Sequence, residues 1–522
     1  MGETPQRTLA RLVQDAARRY GDRIAIQDGP VELSYARLDA VRRRAAAAFL
    51  AAGLGRGDRI AIWAPNMYQW IVAAIGAQSL GIALAPVNTR WTGSEAAHVL
   101  NLSRAKLLFT VGDFLGRNYP SLLRDRELPH LREVVTLDNA AGGDRNWDEF
   151  LAAGESIGDA DVDELAALVG PDEVLDICFT SGTTGAPRGV VTTHGQNIRV
   201  FETWSATVGL RGDDVYLVVN PFFHSFGYKA GWLAAIIRGA RILPAPTFDI
   251  DRVLARIERD RVTVLPGAPT IYQSILAHPR RGEYDLSSLR LAVTGAAPVP
   301  VELVNRMRGE LAFEVAVTAY GLTESCGVVT ICEADDPAEV ISGTSGKAIE
   351  GVEVRIVDAR GDDVPNGEAG EIRVRGYNVM QGYLDDPEAT AETITGDGWL
   401  KTGDVGVMDE AGYLKITDRI KDMFIVGGFN CYPAEIENTL CSLSGVSQAA
   451  VVGMPDRRMG EVACAFLVPD AGARLEAERV IDWCRDNMAN YKVPRAVHIV
   501  DALPTNASGK VLKRELRRRL AS

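Results

Sequence analysis

The sequence predicts an α/β protein in two parts. The first is a large N-terminal domain of layered helices and mostly parallel sheets with a β-rich subdomain. The second is a small, mobile α+β C-terminal domain. Three observations carry this. Apolar runs of strand length alternate with helix-period segments through the first four-fifths of the chain. After about Gly343 the pattern changes to period two. Near Asp418 a charged stretch leads into about a hundred residues of small α+β texture. A chain of 522 residues is also too long for one ordinary core. The expected boundary divides it into residues 1–418 and 419–522.

Taken in order, Leu9, Leu12, Val13, Ala16 and Ala17 recur at helical spacing, as do Leu38, Val41, Ala45, Ala48 and Phe49. Gly53 stands where the second of these helices needs a C-cap. Arg59–Trp63 reads as a strand. Trp70–Val87 is the most membrane-like stretch, but Gln78, Ser79 and Gly81 interrupt it and Pro86 closes it. It reads as a buried helix running into a buried strand rather than a span. Further buried strands are expected at Asp176–Phe179, Val215–Val219, Thr263–Leu265 and Leu289–Val293. Strands alternating with helices imply a parallel sheet covered on both faces. Val352–Val357 and Glu371–Arg375 alternate as half-exposed antiparallel strands do.

Composition narrows the function. Hydrophobic residues make up 47% and charged residues 24%, the mix of a soluble globular chain. A net charge of −13 argues against non-specific nucleic-acid binding and against docking to an acidic membrane surface. The seven cysteines are odd in number and form no Cys-x-x-Cys pair, so a disulfide framework and a zinc ribbon are both disfavoured. Met1–Arg11 is polar and is no signal peptide. A cytoplasmic location is expected.

The strongest local signal runs from Thr180 to Gly189: Thr180-Ser181-Gly182-Thr183-Thr184-Gly185-Ala186-Pro187-Arg188-Gly189. Its glycines let the backbone curl close to a ligand. Its hydroxyls and successive N–H groups suit an anion, so it reads as a polyphosphate loop. It is neither a Walker loop nor a dinucleotide Gly-x-Gly-x-x-Gly. Four more stretches follow in order: Tyr320-Gly321-Leu322-Thr323-Glu324, Trp399 to Asp404, Tyr413 to Asp422, and Pro504 to Lys510.

Together these resemble the ordered motifs of the adenylate-forming superfamily, and in particular its acyl-CoA synthetases and fatty-acid–CoA ligases. The resemblance covers nearly the whole chain. It implies an AMP-forming acid–CoA ligase that uses ATP, magnesium (Mg2+) and coenzyme A. A carboxylate must attack the α-phosphate of ATP, an anion approaching an anion, so cations and fixed dipoles are needed there. The resemblance makes Glu324 the magnesium ligand, with Thr183 beside the metal. It places Thr180 to Gly185, Arg188, Gly295, Ala296, Ala297, Tyr320, Gly321, Leu322, Thr323, Asp404, Ile416 and Arg419 around ATP. Asp404 would accept the ribose hydroxyls, and Tyr320 would flank the adenine. Lys510 would bridge the attacking carboxylate and the α-phosphate. Lys421 falls at the hinge, and Gly427, Gly428 and Phe429 at the thiol tunnel.

One departure from the family pattern is Arg188, which stands where the loop usually has lysine. It keeps the charge but changes the donor geometry. The acyl site is expected around Phe222–Gly227, with His224 near the carboxylate and Phe226, Ala230, Gly295 and Gly321 lining the pocket. Small Ala230 and Gly231 beside Phe226 and Trp232 suit an apolar, bulky acid. Asn220–Trp232 resembles actinobacterial synthetases of polycyclic, steroid- or terpenoid-derived acids. The expected partners are therefore the acid, ATP and CoA. A homodimer, a separate acyl-acceptor protein taking the acyl-AMP, and a catalytically silent nucleotide-binding regulator stay open as alternatives.

Overall fold

A computed structural model describes residues 7–180, 187–295, 299–419, 422–426, 429–456, 458–488, 490–506 and 511–520. Its centre is an eight-stranded sheet. In spatial order the strands are 382–383, 188–193, 174–180, 83–86, 59–63, 107–110, 133–136 and 145–146. The six from Val174–Thr180 to Arg145–Asn146 are parallel. Arg188–Thr193 and Gly382–Tyr383 continue the sheet antiparallel.

The parallel part is buried on both faces, as expected. In Arg59–Trp63, Ile60 and Ile62 enter one hydrophobic core while Ala61 and Trp63 enter another. Period-two alternation of apolar with apolar residues is what a strand between two helix layers requires. Trp70–Val87 resolves into a helix, Tyr68–Gln78, and a strand, Ala83–Pro86. The helix Tyr35–Ala51 ends two residues before Gly53, whose φ of +71° accommodates the reversal.

A second parallel group holds Val215–Val218, Arg241–Pro244 and Ile24–Asp28. A third pairs Leu291–Thr294 with Val315–Tyr320. The expected strand Thr263–Leu265 is reduced to bridges from Val264 to Tyr216 and Leu291. The physical reason is local: the Thr263 hydroxyl accepts the Val215 N–H at 2.9 Å, and Pro266 offers no donor to extend a ladder. The segment still ties the two sheets together.

The β-rich part is an antiparallel sheet of Val352–Val357, Ala369–Gly376, Leu400–Met408 and Leu414–Arg419. Beyond it a smaller α+β unit has its own sheet, with Val446–Asp456 against Gly460–Pro469 at the centre. Val451 and Ala463 face one apolar core, and Val452 and Cys464 face another closed by Leu516 of the last helix. No helix among the described residues is long and apolar enough to cross a membrane. All seven cysteines are free.

Candidate active site

The phosphate-loop motif is flanked by the two antiparallel strands of a hairpin. Val174–Thr180 leads out of the sheet and Arg188–Thr193 returns, with Thr180 opposite Arg188. Ser181, Gly182, Thr183, Thr184, Gly185 and Ala186 lie outside the described residues. So do Ala296, Ala297, Lys421, Gly427, Gly428 and Lys510. Phe429 lies in a short strand paired with Val426, and Arg419 pairs in register with Asp404.

Leu322 to Ser325 form a tight turn at the end of strand Val315–Tyr320. The Leu322 N–H donates to Ser325 Oγ at 2.9 Å, and that hydroxyl donates back to the Leu322 carbonyl at 3.0 Å. This turn carries Thr323 and Glu324. It is fastened to the hairpin edge by segment 378–383. The Met380 N–H donates to the Glu324 carbonyl at 2.9 Å, and Asn378 Nδ2 to the Val328 carbonyl at 2.9 Å.

Tyr383 then joins the two motifs. Its hydroxyl donates to Glu324 Oε1 at 3.0 Å. Its ring lies 5.4 Å below the Arg188 guanidinium, which also sits 3.7 Å from Asp386. Burial and then the Glu324 charge raise the Tyr383 pKa, so this phenol stays a donor. The other carboxylate oxygen of Glu324 has no partner among the described residues. Nothing in the sequence flagged Tyr383, because one tyrosine in a polar turn has no periodicity to betray it.

A second link joins Tyr320 to Asp404. The Tyr320 hydroxyl donates to Asp404 Oδ2 at 2.6 Å, across 84 residues of sequence. Asp404 is buried in strand Leu400–Met408, and its N–H donates to Thr402 Oγ1 at 3.1 Å. Ile416 is half-buried on the neighbouring strand.

The two glycines have different reasons. At Gly321 a Cβ would lie 2.3 Å from the Gly327 carbonyl oxygen, so the turn itself admits no side chain. At Gly295 a Cβ would meet the Ala319 carbonyl at 3.2 Å, a tight but smaller intrusion.

The aromatic stretch folds as a short turn of helix, Ser225–Gly227, followed by a π-wound segment, Tyr228–Leu233. Such wide, under-wound turns are rare and occur frequently at functional sites. Gly227 is forced, since a Cβ would lie 2.2 Å from the Asn220 carbonyl. His224 caps the turn, its Nδ1 accepting the Phe226 N–H at 3.2 Å. The ring is open to solvent on one side yet hemmed in by protein, and that desolvation lowers its pKa. It is therefore neutral near pH 7 with its proton on Nε2. Phe226 is half-exposed, while Ala230 is buried with its carbonyl accepting from the Tyr216 hydroxyl at 2.9 Å. The neighbouring Ser225 packs against Gly327, whose Cβ position would lie 3.1 Å from the serine Cβ. Thus the aromatic stretch, the Glu324 turn and the hairpin edge form one cluster.

No group of three or more metal-ligating side chains is gathered among the described residues. Glu324 alone fits a hard cation that keeps most of its waters, since it presents one carboxylate oxygen while the other is held by a phenol.

Comparisons with known proteins identify the family and the fold. Residues 13–384 match the AMP-binding enzyme family, and residues 435–510 match the AMP-binding enzyme C-terminal domain. The chain is 48% identical to the 3-[(3aS,4S,7aS)-7a-methyl-1,5-dioxo-octahydro-1H-inden-4-yl]propanoyl:CoA ligase of Rhodococcus jostii, over 99% of each chain. It is 50% identical to the protein of the same name from Mycobacterium tuberculosis, over 91% of each. Among solved structures, ATP-bound MatB from Rhodopseudomonas palustris aligns with a TM-score of 0.85, at 29% identity over 98% of each chain.

Proposed function

The chain belongs to the AMP-binding enzyme family and is an AMP-forming acid–CoA ligase that uses ATP, magnesium and coenzyme A; from that premise we propose that its acid is a propanoate carried on a compact, fused two-ring ketone. The observation that supports this most is the near-full-length 48% identity to a ligase named for such an acid. The Asn220–Trp232 stretch agrees with it. Half-exposed Phe226 offers apolar surface there, whereas Ala230 and Gly231, expected to leave space, are buried, with Val218 filling the position a side chain at 231 would take.

The reaction has two steps. A carboxylate oxygen of the acid bonds to the α-phosphorus of ATP, and the bond to pyrophosphate breaks. The thiol of CoA then bonds to the acyl carbon, AMP leaves, and the thiol proton is released. In the first step Glu324 would hold the magnesium, whose charge offsets that of the phosphates. Thr183 and the hairpin loop from Thr180 to Gly185 would hold the phosphates with hydroxyls and N–H groups. Tyr383 would keep Glu324 aimed, and Arg188, resting on the Tyr383 ring, would be within the same charged rim. Asp404 and Arg419 would take the ribose, with Tyr320, Gly321, Leu322, Ala296, Ala297 and Ile416 around the base. His224, with its proton on Nε2, would donate to the acyl carboxyl group. Lys510 would sit between carboxylate and α-phosphate.

The division into residues 1–418 and 419–522 would let one site serve both steps. A rotation about Lys421 would withdraw Lys510 and bring Gly427, Gly428 and Phe429 to the thiol path. The seven free cysteines suit a reducing cytoplasm. The test is turnover: purified protein with ATP, magnesium and CoA should convert the fused-ring propanoate faster than acetate, medium-chain or hydroxycinnamic acids. Equal or faster turnover of any of those would displace the substrate assignment.

A further inference from the structure

Beneath the cluster lies an ion pair that the reaction scheme leaves unused. Lys229 Nζ is 3.1 Å from Asp176 Oδ1, and both side chains are fully shielded from solvent. Lys229 also donates to Thr192 Oγ1 at 3.3 Å, and that hydroxyl donates to Asp176 Oδ1 at 2.7 Å. Asn197 Nδ2 donates to the same Thr192 oxygen at 2.9 Å. Burial opposes the charge on Lys229, but the neighbouring Asp176 side chain outweighs it and lifts the lysine pKa, so the lysine stays charged.

The position of the partners is what matters. Asp176 and Thr192 belong to the two strands of the hairpin, Val174–Thr180 and Arg188–Thr193. Lys229 belongs to the π-wound segment, next to Ala230 and shortly after His224 and Phe226. The third segment of the cluster closes over the same place. Cys326, on the turn after Glu324, is buried and close enough to both charges to feel them. The aromatic face of the π segment is anchored as well. Gln78 Nε2 donates to the Tyr228 hydroxyl at 2.7 Å, and Tyr228 stacks on Trp232 at 4.8 Å.

A buried ion pair is a poor source of stability, because desolvation cancels most of the attraction. What it does supply is register: two charges in a dry interior tolerate very little displacement. Here that register is between the backbone that would present the phosphates and the backbone that would present the acid. We propose that Lys229 and Asp176 are a positioning pair, setting the acyl segment against the phosphate hairpin so that the acid carboxylate and the α-phosphate meet. Neither side chain touches a substrate. The inference rests on the acid–CoA ligase activity and not on which acid is used.

A purely architectural pair and a positioning pair differ in one measurable respect. Each substrate bound alone needs only its own segment. An acyl-sulfamoyl-adenosine, which joins both substrates in one molecule, needs the two segments in register. The comparison is between wild type, Lys229→Met and the charge-free double variant Lys229→Met/Asp176→Asn. The mimic is built on whichever acid wild type turns over fastest in a mixed panel, so an error in the substrate assignment shows in the panel and not in the variants. Calorimetry measures binding of ATP, of the acid and of the mimic, with thermal melting as the fold control. Lys229→Met leaves a buried carboxylate unpaired and is expected to melt early. The double variant removes both charges and keeps the amide–Thr192 bond, so it decides the matter. In it, ATP and the acid should each bind within about threefold of wild type, while the mimic weakens by about tenfold to a hundredfold, the scale of a sub-ångström to 1 Å misplacement. Adenylation kcat should fall in step, with little change in either KM. A double variant that binds the mimic within about threefold of wild type would overturn the proposal, as would equal weakening of all three ligands.

Discussion

Replacing Tyr383 with phenylalanine removes one oxygen atom from the site and keeps the ring on which Arg188 rests. The lost interaction is the 3.0 Å hydrogen bond to Glu324 Oε1. A hydrogen bond to a charged acceptor contributes about 1.5–3 kcal/mol, and the half-exposed phenol argues for somewhat less than a buried one would give, about 1–2 kcal/mol. If Glu324 holds the magnesium, this energy is what keeps the carboxylate aimed before the ion arrives. The expected loss in kcat/KM for magnesium–ATP in adenylation is therefore about five- to thirtyfold, at roughly tenfold per 1.4 kcal/mol. The assay is pyrophosphate release at varied magnesium, alongside calorimetric binding of magnesium–ATP. Thioester formation from supplied acyl-adenylate should be unaffected. Because the Tyr383 pKa is raised, the phenol donates throughout the working range and the defect should not vary with pH. Unchanged magnesium dependence, or equal loss in both half-reactions, would refute the assignment of Glu324 and Tyr383 to the metal.

Lys510→Ala should lower adenylation by about a hundred- to a thousandfold and spare thioester formation from acyl-adenylate, read by single-turnover mass spectrometry. Gly321→Ala should destabilise the ligand-free protein by about 1–3 kcal/mol in urea titration, because the new Cβ would lie 2.3 Å from the Gly327 carbonyl; a loss confined to ligand binding would mean the glycine serves the substrate instead. His194 is fully buried, its Nδ1 accepts the Leu9 N–H at 3.2 Å, and burial lowers its pKa to about 3. Between that value and the unfolded value of about 6.5 the unfolded chain binds a proton the folded one refuses, so stability falls on acidification by about 1.4 kcal/mol per pH unit. Denaturant titrations of His194→Gln at pH 7.5 and about pH 5.5 should show a shallower acid loss than wild type; an identical slope would exclude His194 as its source.

Much of this architecture is legible in the sequence because it is written in periodicity. Arg59–Trp63 emerges at the bounds expected, since a doubly buried strand is a continuous apolar run and Asp58 and the proline after Ala64 end it. Val352–Val357 and Glu371–Arg375 pair as their alternation predicts. Thr263–Leu265 shows where that reading fails. Its apolar pattern is that of a strand and its main chain does bond both neighbours, but the Thr263 hydroxyl takes the Val215 N–H and Pro266 has no donor, so only single bridges form at Val264. Within the site, the motifs locate the hairpin, the Glu324 turn and Asp404, but not what holds them. Tyr383 lies 59 residues from its partner Glu324, and Lys229 lies 53 residues from Asp176. A buried charge pair is invisible to hydropathy because each member looks like a surface residue until the fold brings them together. The Tyr320–Asp404 bond was hidden in the same way, although both residues were singled out separately.

The most direct test of the central claim is mass spectrometry of the purified protein with ATP, magnesium and a panel of acids, with and without CoA. The fused two-ring propanoate should become its CoA thioester, with AMP and pyrophosphate formed in equal amount. Acyl-adenylate that accumulates and ignores added CoA would contradict it and point to a separate acyl acceptor.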